Sequence, residues 1–142
     1  MSLFQRDRVL VPIDFSESCF QALEQTMQEM DNPESVHILH VLRPLNPADP
    51  GIIWHTVDNE TRRRHVKKAF DKRCATPVYE KAPFQVLIGK PAKRIIDYAK
   101  ENDIQLIIIS SHAHKGLNRF ALGSVAERVV RQAPCPVLVL RE

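Results

Sequence analysis

The chain has 142 residues, 44% apolar and 26% charged, with a formal net charge of +3; that length predicts one domain over 1–142 with a real core, and so mild and interspersed a charge argues against a nucleic-acid binder. No apolar run approaches the roughly 18 residues that a membrane helix needs, and the N-terminus lacks a charged-then-apolar signal pattern. The three cysteines, Cys19, Cys74 and Cys135, share no metal-type spacing, so a cytoplasmic protein with reduced thiols and no membrane partner is expected.

Residues 8–13, RVLVPI, form a short apolar run that predicts a first strand. A turn follows at Asp14-Phe15-Ser16, and Ser16 is suited to cap a helix because its hydroxyl can accept from an unpaired backbone N–H. Phe20, Leu23, Met27 and Met30 recur at spacings of three and four and so share one helical face. Residues 35–42 are rich in β-formers and predict a second strand. Residues 43–57 hold three prolines and predict a loop. Residues 58–74 have helical composition, with Asp58 as cap. The basic run from Arg62 to Arg73 reads there as a solvated face, since no aromatic residues interleave for base stacking.

Residues 84–88 predict a third strand. Gly89-Lys90-Pro91 then turns into a helix with proline at its first position, where a missing N–H costs nothing. Ala92, Ile95, Ile96 and Ala99 are that helix's buried face. Residues 104–109 are apolar almost throughout, as expected of a strand covered on both sides. Residues 123–133 predict a last helix with Val125, Ala126, Val129, Val130 and Ala133 inward, and residues 137–140 a fifth strand. Strands alternating with helices imply an α/β fold, an open, doubly wound parallel sheet with helices on both faces.

In such a sheet ligands bind beyond the carboxyl ends of the strands, where strand order reverses. Two segments lie at such ends: Asp14 to Ser16, and Ser110 to Ser124. Gly123-Ser124 opens a helix, whose free N–H groups and dipole favour an anion, with His112, His114, Lys115 and Arg119 nearby in sequence. Taken alone, Ser124-x-x-Glu127 reads first as a capping box, since caps are commoner than ligand sites, and the two roles are compatible because a capping serine can turn to a phosphate. Asp14 reads as a base only with a partner, and otherwise as an aspartate bonding the N–H groups of its own turn. His112-x-His114 has no cysteine or carboxylate beside it and does not predict a metal site. His37 and His40 lie in one strand and face opposite ways.

The order and spacing of several short motifs carry a resemblance. They are VLVPIDFS at the start, Leu39-His40-Val41, Gly89-Lys90-Pro91, the run GLNRFALGSVAERVV over 116–130 and APCPVLV over 133–139. Over nearly its whole length the chain resembles the universal stress protein family. That resemblance implies five parallel strands in the order 3-2-1-4-5. It also implies an adenine-nucleotide site, for ATP or AMP with magnesium.

Nucleotide-binding members carry a loop G-x2-G-x9-G-[S/T]. On this chain its first two glycines fall on Ser110 and Ala113, and its third on Gly123, followed by Ser124. By the resemblance Pro12, Asp14 and Val41 belong to the nucleoside end, and Ser110, Ala113, His114, Arg119, Gly123, Ser124 and Val125 to the phosphate end. A non-glycine residue forced to positive φ costs of order 1–2 kcal/mol, which weakens binding roughly ten- to thirtyfold. The resemblance further implies a homodimer through the fifth strand, Val137 to Leu140, whose apolar edge invites pairing. Efficient catalysis is not expected; at most the likeness implies slow ATP hydrolysis or self-phosphorylation. The alternative is a nucleotide-free dimeric interaction or signalling protein of the same fold. An adenine-nucleotide hydrolase is disfavoured, because no glycine-rich loop follows the first strand.

Overall fold

The computed structural model describes residues 6–48, 58–111 and 122–141. Its elements run β1 (Val9–Ile13), α1 (Glu17–Glu29), β2 (Val36–Leu42), α2 (Asn59–Arg73), β3 (Phe84–Ile88), α3 (Pro91–Glu101), β4 (Leu106–Ser111), α4 (Ser124–Gln132) and β5 (Val137–Arg141). The strands pair in parallel in the order β3-β2-β1-β4-β5. The expected doubly wound α/β fold is therefore the observed one.

Strand side chains alternate between faces, and the sheet divides its core accordingly. Val9, Val11, Ile13, Val36, Ile38, Leu106 and Ile108 meet α1 and α2 through Phe20, Leu23 and Phe70. Leu10, Leu39, Ile107 and Ile109 meet α3 and α4 through Ile95, Ala99, Ala126 and Val129. This two-sided burial is why the strands read as continuous apolar runs.

The caps form where expected. Ser16 Oγ accepts from Cys19 N at 3.3 Å, and Asp58 Oδ1 from Thr61 N at 2.7 Å. Pro91 opens α3. β4 runs two residues further than its apolar pattern, because Ser110 and Ser111 pair with Leu140 and Arg141 of β5. Val130 is a correction: it is 45% exposed, whereas Val129 next to it is fully buried. Adjacent helical positions lie about 100° apart, so the sheet takes only one of the two.

Gly89 has φ +151°, and a Cβ built there would lie 2.6 Å from Arg94 Nε. Its N–H also donates to Leu42 O at 2.9 Å, carrying the β2–β3 ladder one bond past Ile88. Gly89→Ala is expected to destabilise the fold by about 1–2 kcal/mol, read as a lowered urea midpoint. An unchanged midpoint would contradict the strained geometry.

His37 Nδ1 lies 2.7 Å from the Tyr98 hydroxyl. Burial, and secondarily the charge of Arg8, hold this imidazole below its ordinary range of about 6.5. The neutral ring is thus the form the fold favours. As pH falls below about 6.5 the unfolded chain takes up a proton that the fold resists, so stability declines there. His37→Phe is expected to flatten that acid limb in pH-dependent urea melts. A limb of unchanged steepness would assign it elsewhere.

Candidate functional site at the switch point

β1 is where the strand order reverses, and its two neighbours treat it differently. Pairing with β2 continues to Ile13 opposite His40. The described pairing with β4 is Val9 with Leu106 and Leu10 with Ile107 only. Pro12, two residues on, has no N–H with which to extend a ladder. The two strands part there and open a crevice of about 300 Å³ at their carboxyl ends.

Seven residues expected at the site line this crevice: Pro12, Asp14, Val41, Ser110, Gly123, Ser124 and Val125. Ala113, His114 and Arg119 lie outside the described residues, as does the His112-x-His114 pair. The crevice also takes in Arg43, His40, Ser111, Pro91 and Ile95. Pro91 and Ile95 were legible as the start of a helix, but not as a wall. Arg43 follows the second strand directly, and its carbonyl accepts from Arg62 Nη2 at 2.8 Å.

Asp14 stands at the end of β1. Its Oδ1 accepts from Ser16 N at 3.0 Å and from Ser16 Oγ at 2.5 Å. The turn-forming role is therefore present. Phe15 between them has φ +64°, unusual for a bulky residue and worth about 1–2 kcal/mol of strain. Its ring meets Phe20 edge-on at 5.5 Å and His40 edge-on at 4.9 Å. Burial pushes the Cys19 thiol up to about 11; its Sγ donates to Ser16 O at 3.0 Å, so it stays protonated at neutral pH.

At the phosphate end the condition for strain at Ser110 is not met, and one expectation is corrected. Ser110 sits within β4, and the only positive φ values among described non-glycine residues are those of Phe15 and Asp103. Ser110 therefore carries no glycine-type backbone strain, and its Cβ is the whole difference from a glycine. The capping box does not form. α4 begins one residue earlier than that spacing requires, with Gly123 as N-cap at φ −61° and no side-chain cap. Glu127 pairs with Arg131 at 2.8 Å instead. Ser111, which the sequence reading passed over, accepts from Gly123 N at 3.2 Å and ties the end of β4 to the start of α4. Ser124 is left exposed at the helix's first turn, beside backbone N–H groups that have no partner within the helix.

Among the described residues no group of three or more metal-type side chains stands together, and no helix is long and apolar enough to cross a membrane. A doubly wound sheet, a crevice where β1 and β4 part, and a helix start facing it define the class. The chain belongs to the universal stress protein family, whose signature matches residues 5–141. It is 30% identical over 148 residues to universal stress protein YxiE of Bacillus subtilis, spanning 95% of this chain and 99% of that one. A local match to universal stress protein MJ0531 of Methanocaldococcus jannaschii is 43% identical over 58 residues, 41% of this chain and 34% of that protein's length. Among solved structures, universal stress protein UspA from Lactobacillus plantarum is similar at TM-score 0.71 and 27% identity, over 96% of this chain and 99% of that one. Two more distant structures share the fold. One is an Arabidopsis thaliana family protein with AMP bound, at TM-score 0.63 and 21% identity over 95% and 91% of the two chains. The other is a universal stress protein in complex with cAMP, at 0.59 and 19% over 94% and 95%.

Proposed function

We propose that the crevice binds an adenine nucleotide, AMP or ATP, and that the protein acts as a nucleotide-responsive module rather than an efficient enzyme. The observation that carries this reading is the exposed start of α4 against the gap between β1 and β4. A helix N-terminus favours anions, and Ser124 supplies a hydroxyl that the helix does not use as its cap. Gly123, Ser124 and Val125 take the phosphates. The nucleoside lies toward Asp14 and Val41, the latter one residue past the last β1–β2 pair.

Magnesium would arrive with the phosphates, which supply the oxygen ligands that it prefers. Asp14 is the one carboxylate among the described lining residues and stands at the β1 wall. The AMP and cAMP bound by the two distant relatives agree in ligand class. The same reading includes a homodimer through β5. That strand ends the strand order, and its apolar residues Val137 to Leu140 are only half-buried, a surface suited to pairing.

Calorimetry with AMP and with Mg-ATP tests the nucleotide reading. Binding should be weakened about tenfold in Ser124→Ala, the size of one hydrogen bond to a charged group. Equal affinity in that variant would remove Ser124 from the site.

A further inference from the structure

The side chain of His40 grips both neighbours of Asp14. Its Nδ1 lies 2.8 Å from the carbonyl oxygen of Ile13. A carbonyl only accepts, so Nδ1 carries the proton and donates. That bond fixes the peptide plane leading into Asp14. On the other side, the His40 ring meets Phe15 edge-on at 4.9 Å and 89°. Phe15 is the residue with φ +64°, and Phe20 closes on its ring from α1 at 5.5 Å. Asp14 is thus bracketed, with the preceding carbonyl and the following ring both held by one residue of β2. Its own Oδ1 then meets Ser16 N at 3.0 Å.

We infer that His40 is the positioning residue of the crevice's nucleoside end: through the Ile13 carbonyl and the Phe15 ring it holds Asp14 in the orientation that a ribose or base would meet. Strained backbone persists only where its surroundings over-determine it, and the two rings supply that constraint here. Specific recognition needs side chains locked by their supporting shell. A strand residue serves better for this than a loop residue, because its own position is fixed by ladders on both sides, to β1 and to β3.

The inference rests on the nucleotide reading for its ligand but not for its geometry, and two measurements separate the two. The first uses the unliganded full-length protein and follows the Ser16 amide and the Asp14 side-chain carboxyl by NMR. Asparagine places an N–H near the position of Nδ1, whereas glutamine places one near Nε2. His40→Phe and His40→Gln should shift both resonances, and His40→Asn should leave them near wild type. Unchanged Ser16 and Asp14 resonances in a folded His40→Phe protein would overturn the inference. If His40→Phe does not fold, a glutamine variant indistinguishable from the asparagine variant overturns it equally.

The second measurement titrates AMP. Affinity should fall about tenfold in His40→Gln and stay within about threefold of wild type in His40→Asn. The reverse ranking would make His40 a direct ligand contact through Nε2 and contradict the positioning role. A wild-type protein that binds no AMP refutes the nucleotide reading alone, and the NMR comparison then decides the inference.

Discussion

Phe70→Ala is expected to destabilise the protein by about 3–5 kcal/mol, the largest effect of any single truncation considered for this fold. Phe70 is 2% exposed and is the one buried residue of α2. It stacks on Phe84 of β3 at 4.1 Å with the rings 7° from parallel, and meets Tyr79 edge-on at 6.3 Å. Lys67 Nζ lies 5.7 Å from the Phe70 ring centre and 5.5 Å from that of Phe84. Apart from Val66 and Ala69 the rest of α2 is polar, and its ion pairs are solvent-facing: Arg63 with Glu60, Lys67 with Asp71, and Arg73 with Glu17. Pairs of that kind contribute up to about 1 kcal/mol each. One aromatic ring therefore fastens a fifteen-residue helix to the sheet edge. Urea denaturation followed by far-UV circular dichroism reads the change. A loss below about 1 kcal/mol would show that α2 is held by its charges instead.

Ser124→Asp separates stability from ligand binding. Ser124 is the first residue of α4, where a carboxylate interacts favourably with the helix dipole by about 0.3–1 kcal/mol. The fold should melt at the same temperature or slightly higher. The same carboxylate would face the phosphate of a bound nucleotide. Like charges about 4 Å apart in a partly screened site repel by about 3 kcal/mol, or roughly two decades of affinity. The expected result is a well-folded protein with AMP affinity reduced about a hundredfold. Retained affinity would move the phosphate away from α4, while a lowered melting temperature would mean that Ser124 serves the fold.

The sequence was most legible where burial is two-sided and local. Residues 106–109 are apolar without interruption because both faces of β4 are covered, and they declare a strand without ambiguity. Ser16, Asp58 and Pro91 mark helix starts through interactions within one turn, so spacing alone reveals them. The candidate site was legible as a set of residues and less so as a geometry. Pro12 reads as part of an apolar run, but its consequence, the parting of β1 from β4, depends on which strand lies beside it.

Ser124 and Glu127 have the spacing of a capping box, yet the N-cap is Gly123 and the helix starts at Ser124, and a shift of one residue changes both roles. Ser111 gives no local signal for its bond to Gly123, twelve residues away. Strain at Ser110 depended on a positive φ that the residue does not adopt; in the crevice it is Phe15, in the facing turn, that has one. Nothing in the string Asp-Phe-Ser marks that φ angle, which the rings of Phe20 and His40 hold from outside.

The central claim is that the gap between β1 and β4 holds the nucleotide. A two-dimensional 1H–15N spectrum of the whole protein, titrated with AMP, tests it directly. Shifted resonances should gather at Val41, Ser110, Ser111, Gly123, Ser124 and Val125, around the crevice. Thr26, Leu138 and Leu140, which line a separate groove between α1 and β5, should stay still. A spectrum unchanged at millimolar AMP, or shifts gathered at that second groove, would contradict the account.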